Sequence, residues 1–422
     1  MKILLKQAKI LDQNSLYNGK TLDVLIENGI IQAIEKEIRN EDATVISSPA
    51  LHVSVGWVDI KSSFCDPGFE HKETIEDGLD SAAAGGFTHV CSLPNTFPIC
   101  DNKTIIEYQL TKSGNHAVKL HPMGTITKGM KGHELSEMYD MYQAGASLFS
   151  DDVSPLNSGM LHRALLYAKN IGATLLLAAS DEYLSKNTVV NEGIASTRTG
   201  LKADPAVSEV IQVEKIIRLL EYTEGKAHIS GISCKESVKI IEEAKSRGIS
   251  LTCDVNLMNI IFTENDVLEF NSLMKVLPVL RSIEDRDYMV KALDEGVIDA
   301  IASDHRPVDA EEKELEFDHA AFGSFQLQTL FSALNTHSAL PIEKIINILS
   351  HKNREIAKID KATIEVGHIA DLTIFDPFEK SIYTESSLLS RHKYSPFLNK
   401  DLKGKIYGIL RANDCIIMDT HE

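Results

Sequence analysis

A chain of 422 residues exceeds an average single domain, and its 43% hydrophobic and 25% charged residues are ordinary for a soluble globular protein. The 43 basic and 61 acidic residues leave a net charge of −18, which argues against nucleic acid or an anionic membrane as a partner. Six scattered cysteines without a CxxC pair read as free thiols of a reducing cytosol, so a cytoplasmic location is expected.

The first six residues, Met1-Lys2-Ile3-Leu4-Leu5-Lys6, are too short and too charged a run for a signal peptide and read as a strand. Short β signals continue to residue 52, and Asn28-Gly29 between two apolar runs is a hairpin cue. From residue 53, strand-like runs at 53–60, 88–93, 118–125, 146–149, 174–179, 226–232, 250–255 and 299–303 alternate with helical patterns. Helices are expected at 134–144, 160–170, 206–222, 236–247 and 285–295. Strand alternating with helix over this length is the arithmetic of a parallel (β/α)8 TIM barrel, an α/β fold. The tail returns to β character from residue 365. The expected division is a barrel over 53–360 and a small β-sandwich domain built from residues 1–52 and 361–422. No apolar run is long enough to span a membrane.

The stretch from Gly56 to Asp101 gathers polar residues at the ends of two apolar strands, which is where a barrel keeps its chemistry. It carries Asp59-Ile60-Lys61-Ser62-Ser63-Phe64-Cys65-Asp66-Pro67-Gly68 and Pro94-Asn95-Thr96. Further on stand Phe149-Ser150-Asp151-Asp152, Lys275-Val276-Leu277-Pro278-Val279-Leu280-Arg281, Asp304-His305-Arg306-Pro307 and Gly367-His368-Ile369-Ala370-Asp371-Leu372. In this order the chain resembles the dihydroorotases of the amidohydrolase superfamily, most of all the type associated with aspartate transcarbamoylase. The resemblance implies a metal-bearing barrel with a β-sandwich, and the interconversion of dihydroorotate and carbamoyl-aspartate in pyrimidine biosynthesis.

The family's residues are replaced at the positions that would carry that chemistry. Its first motif, Asp-x-His-x-His-x-Arg-x-Pro-Gly, here has Lys61 and Ser63 for the two histidines and Cys65 for the arginine that grips the substrate carboxylate. By the same correspondence two further histidine ligands are Ala178 and Gly231, the substrate-binding asparagine is Leu277, and the last histidine of Asp-His-Ala-Pro-His is Val308. Asp152, Asp304 and Asn95 are kept. A protonated lysine has no lone pair for zinc and serine is a poor ligand, so no metal is expected at the remnant carboxylates Asp152 and Asp304.

The first reading is therefore a dihydroorotase-like pseudoenzyme without a binuclear zinc centre, acting as a structural or regulatory partner of aspartate transcarbamoylase or as a homo-oligomer. The alternative is an active dihydroorotase or related cyclic amidohydrolase with a rearranged site, for which zinc would be the cofactor. A protein that uses the barrel mouth to bind another small molecule is a third reading. Individual residues carry paired readings too. Lys61 replaces the metal's charge between Asp152 and Asp304, or snorkels to solvent. Asp304-His305 is an acid/base unit, or Asp304 is an inherited structural residue. Ser63 and Cys65 are nucleophiles, or plain loop residues. Asp181, Glu182 and Lys215 read as solvated.

Overall fold

The structure, a computed structural model, describes residues 1–418. The chain opens with β1 (Lys2–Leu11), β2 (Thr21–Glu27), β3 (Ile30–Glu35), β4 (Thr44–Ile46) and β5 (His52–Val55). The β2–β3 turn is Asn28-Gly29 with φ of 53° and 73°, the paired left-handed geometry that the hairpin cue demands. The barrel strands follow: β6 (Trp57–Ser62), β7 (Phe87–Ser92), β8 (Lys119–Pro122), β9 (Leu148–Ser150) and β10 (Thr174–Ala178). After the short pair β11 (Val190–Asn191) and β12 (Ala203–Asp204) come β13 (Ala227–Ser230), β14 (Leu251–Asn256) and β15 (Ala300–Ala302). The chain closes with β16 (Asp371–Ile382), β17 (Asp401–Arg411) and β18 (Asp414–Ile417).

The barrel strands pair in parallel as one arc of three, β6-β7-β8, and one of five, β9-β10-β13-β14-β15. Parallel bridges Gly124↔Phe149 and Ser62↔His305 join the arcs at both seams, closing the (β/α)8 ring. Every residue of β6 and β7 is buried, which is why these strands read as continuous apolar runs rather than alternating ones. Asp59 fastens the β6–β15 seam: its carboxylate accepts from the Ser303 backbone N–H, the Ser303 hydroxyl and the Ser62 hydroxyl at 2.8, 2.8 and 2.5 Å. Burial pushes its carboxyl up to about 6 against the pull of those three donors. Asn353 ties the same seam by donating to the carbonyls of Val58 and Ile301.

Around the ring, helices keep to the expected places, for example Ser158–Ile171, Ala206–Thr223 and Lys235–Ser246. The first, Ile75–Ala84, starts on a Thr74/Asp77 capping box and buries Leu79, Ala82 and Ala83. It stops at Gly85-Gly86, where a Cβ on Gly86 would lie 2.7 Å from the Trp57 ring. The end of this helix is thus packed closely on the sheet.

The terminal strands form one sheet, β18-β17-β16-β5-β1-β2-β3 with β4 beside β1. The sheet curls until Ile30 of β3 meets Ile369 just before β16, and the resulting sandwich encloses its own core of Ile3, Ile10, Val24, Val53, Leu372 and Ile374. Residues 53–55 thus lie in the terminal sheet, and the barrel begins at Trp57. The apolar run 52–60 is two strands, broken at Gly56. Trp57, Phe87, Phe331 and Phe375 then pack ring against ring where the sandwich meets the barrel. Each such buried ring contributes about 2–3 kcal/mol.

A Cβ on Gly56 would come within 2.1 Å of both Asp371 Oδ1 and Thr88 Oγ1. Gly56→Ala is expected to cost roughly 1–3 kcal/mol in urea unfolding. An unchanged midpoint would show that the crossing from sandwich to barrel does not require glycine.

Candidate functional site: an ion-paired barrel mouth

At the C-terminal ends of the barrel strands lies a cavity of about 820 Å³. Its floor gathers residues that are far apart in sequence: Lys61 from β6, Asp152 after β9, Ser230 and Gly231 at the end of β13, and Arg306 just beyond Asp304 and β15. Asp152 and Asp304 both have left-handed backbones, with φ of 53° and 49°. For non-glycine residues this conformation costs on the order of 1 kcal/mol each, and it is held by the surrounding contacts. Both carboxylates converge on one guanidinium. Arg306 Nη1 and Nη2 donate to Asp152 Oδ2 and Oδ1 at 2.9 and 2.5 Å, while Nε donates to Asp304 Oδ1 at 2.9 Å. Burial alone would raise the Asp152 carboxyl, but the charge and hydrogen bonds of Arg306, then Lys61 and Asn95, hold it below the ordinary carboxylate value.

Lys61 is buried, 7% exposed, so the snorkelling reading does not hold. Its ammonium lies 3.6 Å from Asp304 Oδ1 and donates to the Ser230 hydroxyl at 3.2 Å. It does not occupy the position between Asp152 and Asp304; Arg306 does. Ser230 in turn donates to Asp254 Oδ2, which His228 Nε2 also meets at 2.8 Å. Burial would raise the Asp254 carboxyl, yet Lys61 and His228 bring it down to about 2. A Cβ on Gly231 would stand 3.5 Å from Lys61 Nζ and 3.2 Å from Pro278 Cδ. The lysine fills the space that a longer side chain at 231 would enter. Ala178, at the end of β10, lines the cavity with a methyl group.

Asn95 is bonded at both ends of its amide, accepting from Ser63 Oγ at 3.0 Å and donating to Asp152 Oδ2 at 3.2 Å. The Ser63 hydroxyl is thereby committed to an amide, with no base beside it. Burial, then the neighbouring Glu73, pushes the Cys65 thiol up to about 12, which disfavours the thiolate that a nucleophile needs. His305 faces away from the mouth. Its Nε2 meets Glu73 Oε2 at 2.8 Å and its Nδ1 accepts from the Gln326 backbone N–H at 3.3 Å. An Asp304-His305 acid/base unit is therefore not formed. Asp181, Glu182 and Lys215, read as solvated, line the cavity wall, with Lys215 donating to the Leu156 carbonyl at 3.0 Å.

Arg306, Ser230 and Asp254 are the parts of this floor that the sequence reading passed over. The signal for Arg306 was its position: a full charge where the resembling family has alanine, two residues after Asp304. Asp254 lies on a strand that reads as plain β and carries no such mark.

These residues do not fit a binuclear zinc centre. Asp152 is already forked by a guanidinium that also bonds Asp304 Oδ1, no imidazole faces the two carboxylates, and among the described residues no three histidine, cysteine, aspartate or glutamate side chains are grouped to share an ion.

By fold, the chain is a TIM barrel carrying a β-sandwich built from both termini. It superposes on the L-hydantoinase (dihydropyrimidinase) of Arthrobacter aurescens with a TM-score of 0.85 and 21% identity, over 98% of this chain and 96% of that one. The dihydropyrimidinase of Brevibacillus agri NCHU1002 superposes with a TM-score of 0.82 and 19% identity, over 99% and 95%. Sequence narrows this further. The model of the family described as dihydro-orotase-like matches residues 52–237. A dihydroorotase of Thermoanaerobacter sp. (strain X514) is 36% identical across 99% of this chain and 96% of its own length. One of Aquifex aeolicus (strain VF5) is 36% identical across 99% and 100%. The chain belongs to the dihydroorotase family.

Lys61→Met removes the cation that Asp304 and Asp254 both face. A loss of about 3 kcal/mol at pH 7 is expected, seen as a clear drop in Tm, and an unchanged Tm would contradict the pairing. The acid limb adds a second readout. A carboxyl held at about 2 instead of 3.8 contributes stability that is complete above the unfolded value and lost as pH falls toward 2. For Asp254 that is about 2 kcal/mol, and the limb should flatten in the variant.

Proposed function

We propose that this protein is a dihydroorotase-family member of pyrimidine biosynthesis that does not carry out metal-dependent hydrolysis. In this reading it serves the pathway as a cytoplasmic structural or regulatory partner of aspartate transcarbamoylase. The observation that carries the reading is Asp152, which spends both oxygens on Arg306. A two-metal hydrolase needs such a carboxylate for its ions and a bound water of lowered pKa. Here the carboxylate has neither a free oxygen nor imidazole ligands beside it. Asp304 likewise turns one oxygen, Oδ1, to both Arg306 and Lys61.

A second reading has its own support. Relatives named dihydroorotase are 36% identical over nearly the whole chain, which favours an active enzyme that interconverts dihydroorotate and carbamoyl-aspartate through a rearranged site. On the comparisons alone this is the better supported of the two. The ion-paired floor of the mouth is what sets the first ahead.

The readings part on one experiment, zinc content of protein purified without chelator together with dihydroorotate turnover in added Zn²⁺. Substoichiometric zinc and no turnover above background are expected. Zinc near one or two equivalents with turnover would establish the second reading. Co-elution with aspartate transcarbamoylase in size-exclusion chromatography checks the partner, and separate elution of the two would remove that role.

A further inference from the structure

We propose that Arg306 is the resident cation of this barrel mouth: its guanidinium stands in for a divalent ion between Asp152 and Asp304, and keeps divalent ions out while it is in place. The geometry is that of a bridging cation. One planar group contacts both oxygens of Asp152 and one of Asp304, at 2.5–2.9 Å, with both carboxylates brought to it by left-handed backbones. Asp152 and Arg306 are 10% and 14% exposed, so the bonds form largely out of water. A buried guanidinium fork is charge-assisted and fixed in direction, and a hydrated ion would have to displace it as well as shed its own water.

The arrangement extends one shell outward. Arg306 is braced from behind, because a Cβ on Gly323 would lie 2.7 Å from Arg306 Cβ and the glycine carries φ of 122°. Lys61 approaches the same Asp304 Oδ1 at 3.6 Å and turns through Ser230 toward Asp254, in the space left by Gly231. Two fixed side-chain cations thus serve three carboxylates. With the guanidinium removed, Asp152 and Asp304 would be two inward-facing carboxylates, an oxygen set suited to Mg²⁺ or Mn²⁺ with water completing the shell. It would remain unsuited to zinc for want of imidazole.

Because the role given to Arg306 rests on the metal-free reading of the mouth, wild type and variant answer separate questions. The experiment is titration with Mn²⁺, followed by electron paramagnetic resonance of the free ion and by Tm in Mn²⁺ and in EDTA. Wild type should show no saturable binding and one Tm in both media. Arg306→Met should have a lower Tm in EDTA, regain part of it in Mn²⁺, and bind Mn²⁺ at least about tenfold more tightly than wild type. Adding Asp152→Asn should abolish that gain. If Arg306→Met binds no better than wild type, Arg306 does not exclude cations, and the metal-free reading stands without it. If wild type itself binds Mn²⁺ in a manner lost on Asp152→Asn, both fail. Should Arg306→Met not fold, the Arg306→Met/Asp152→Asn/Asp304→Asn triple variant should fold, since its mouth holds no unpaired carboxylate; a triple variant that stays unfolded overturns the proposal.

Discussion

Three carboxylates, Asp152, Asp254 and Asp304, face the interior end of a barrel where water is scarce, and each would cost several kcal/mol if left unpaired. The C-terminal face of the molecule depends on how that cost is met. In a metal-dependent barrel the ions meet it. In this chain Arg306 neutralises Asp152 and shares Asp304 with Lys61, and Lys61 reaches on through Ser230 toward Asp254. At an effective dielectric near 20, charges about 4 Å apart attract by about 4 kcal/mol, so the use of side-chain cations in place of ions is sufficient to offset the cost of burying these carboxylates. It is not chemically equivalent. A guanidinium neither lowers the pKa of a bound water nor opens a coordination position for a carbonyl.

The scaffold that presents these groups is independent of them. Asp59 and Asn353 fasten the β6–β15 seam with four hydrogen bonds to residues that are not in the cavity wall. The aromatic cluster around Trp57 seats the sandwich at the opposite end of the ring. A fold held at its seams and its base can exchange residues in its mouth without losing its shape. That separation accounts for a chain that keeps 36% identity with dihydroorotases from end to end while its mouth carries an ion-paired floor.

Much of this was legible in the sequence. Buried parallel strands show as runs such as Phe87-Thr88-His89-Val90-Cys91, and the glycine pair 85–86 marks the end of a helix packed on the sheet. Lys61, Ser63, Ala178 and Gly231 are legible too, as residue types at the positions that the family resemblance assigns to its ligands. What lies hidden is direction. Nothing in Asp304-His305-Arg306 tells that the histidine turns back to Glu73 while the arginine turns inward, since the left-handed backbone at Asp304 decides it. Nor does the apolar run 52–60 show that Gly56 divides it between two domains. That depends on Thr88 and Asp371, which are distant in sequence.

The state of the barrel mouth turns on the identity of the cation between Asp152 and Asp304. Crystals soaked in Zn²⁺, with anomalous diffraction collected at the zinc edge, test it directly. The expected map has no anomalous peak between the two carboxylates and shows the Arg306 fork in place. A zinc peak within coordination distance of Asp152 and Asp304, with Arg306 swung out of the mouth, would contradict it.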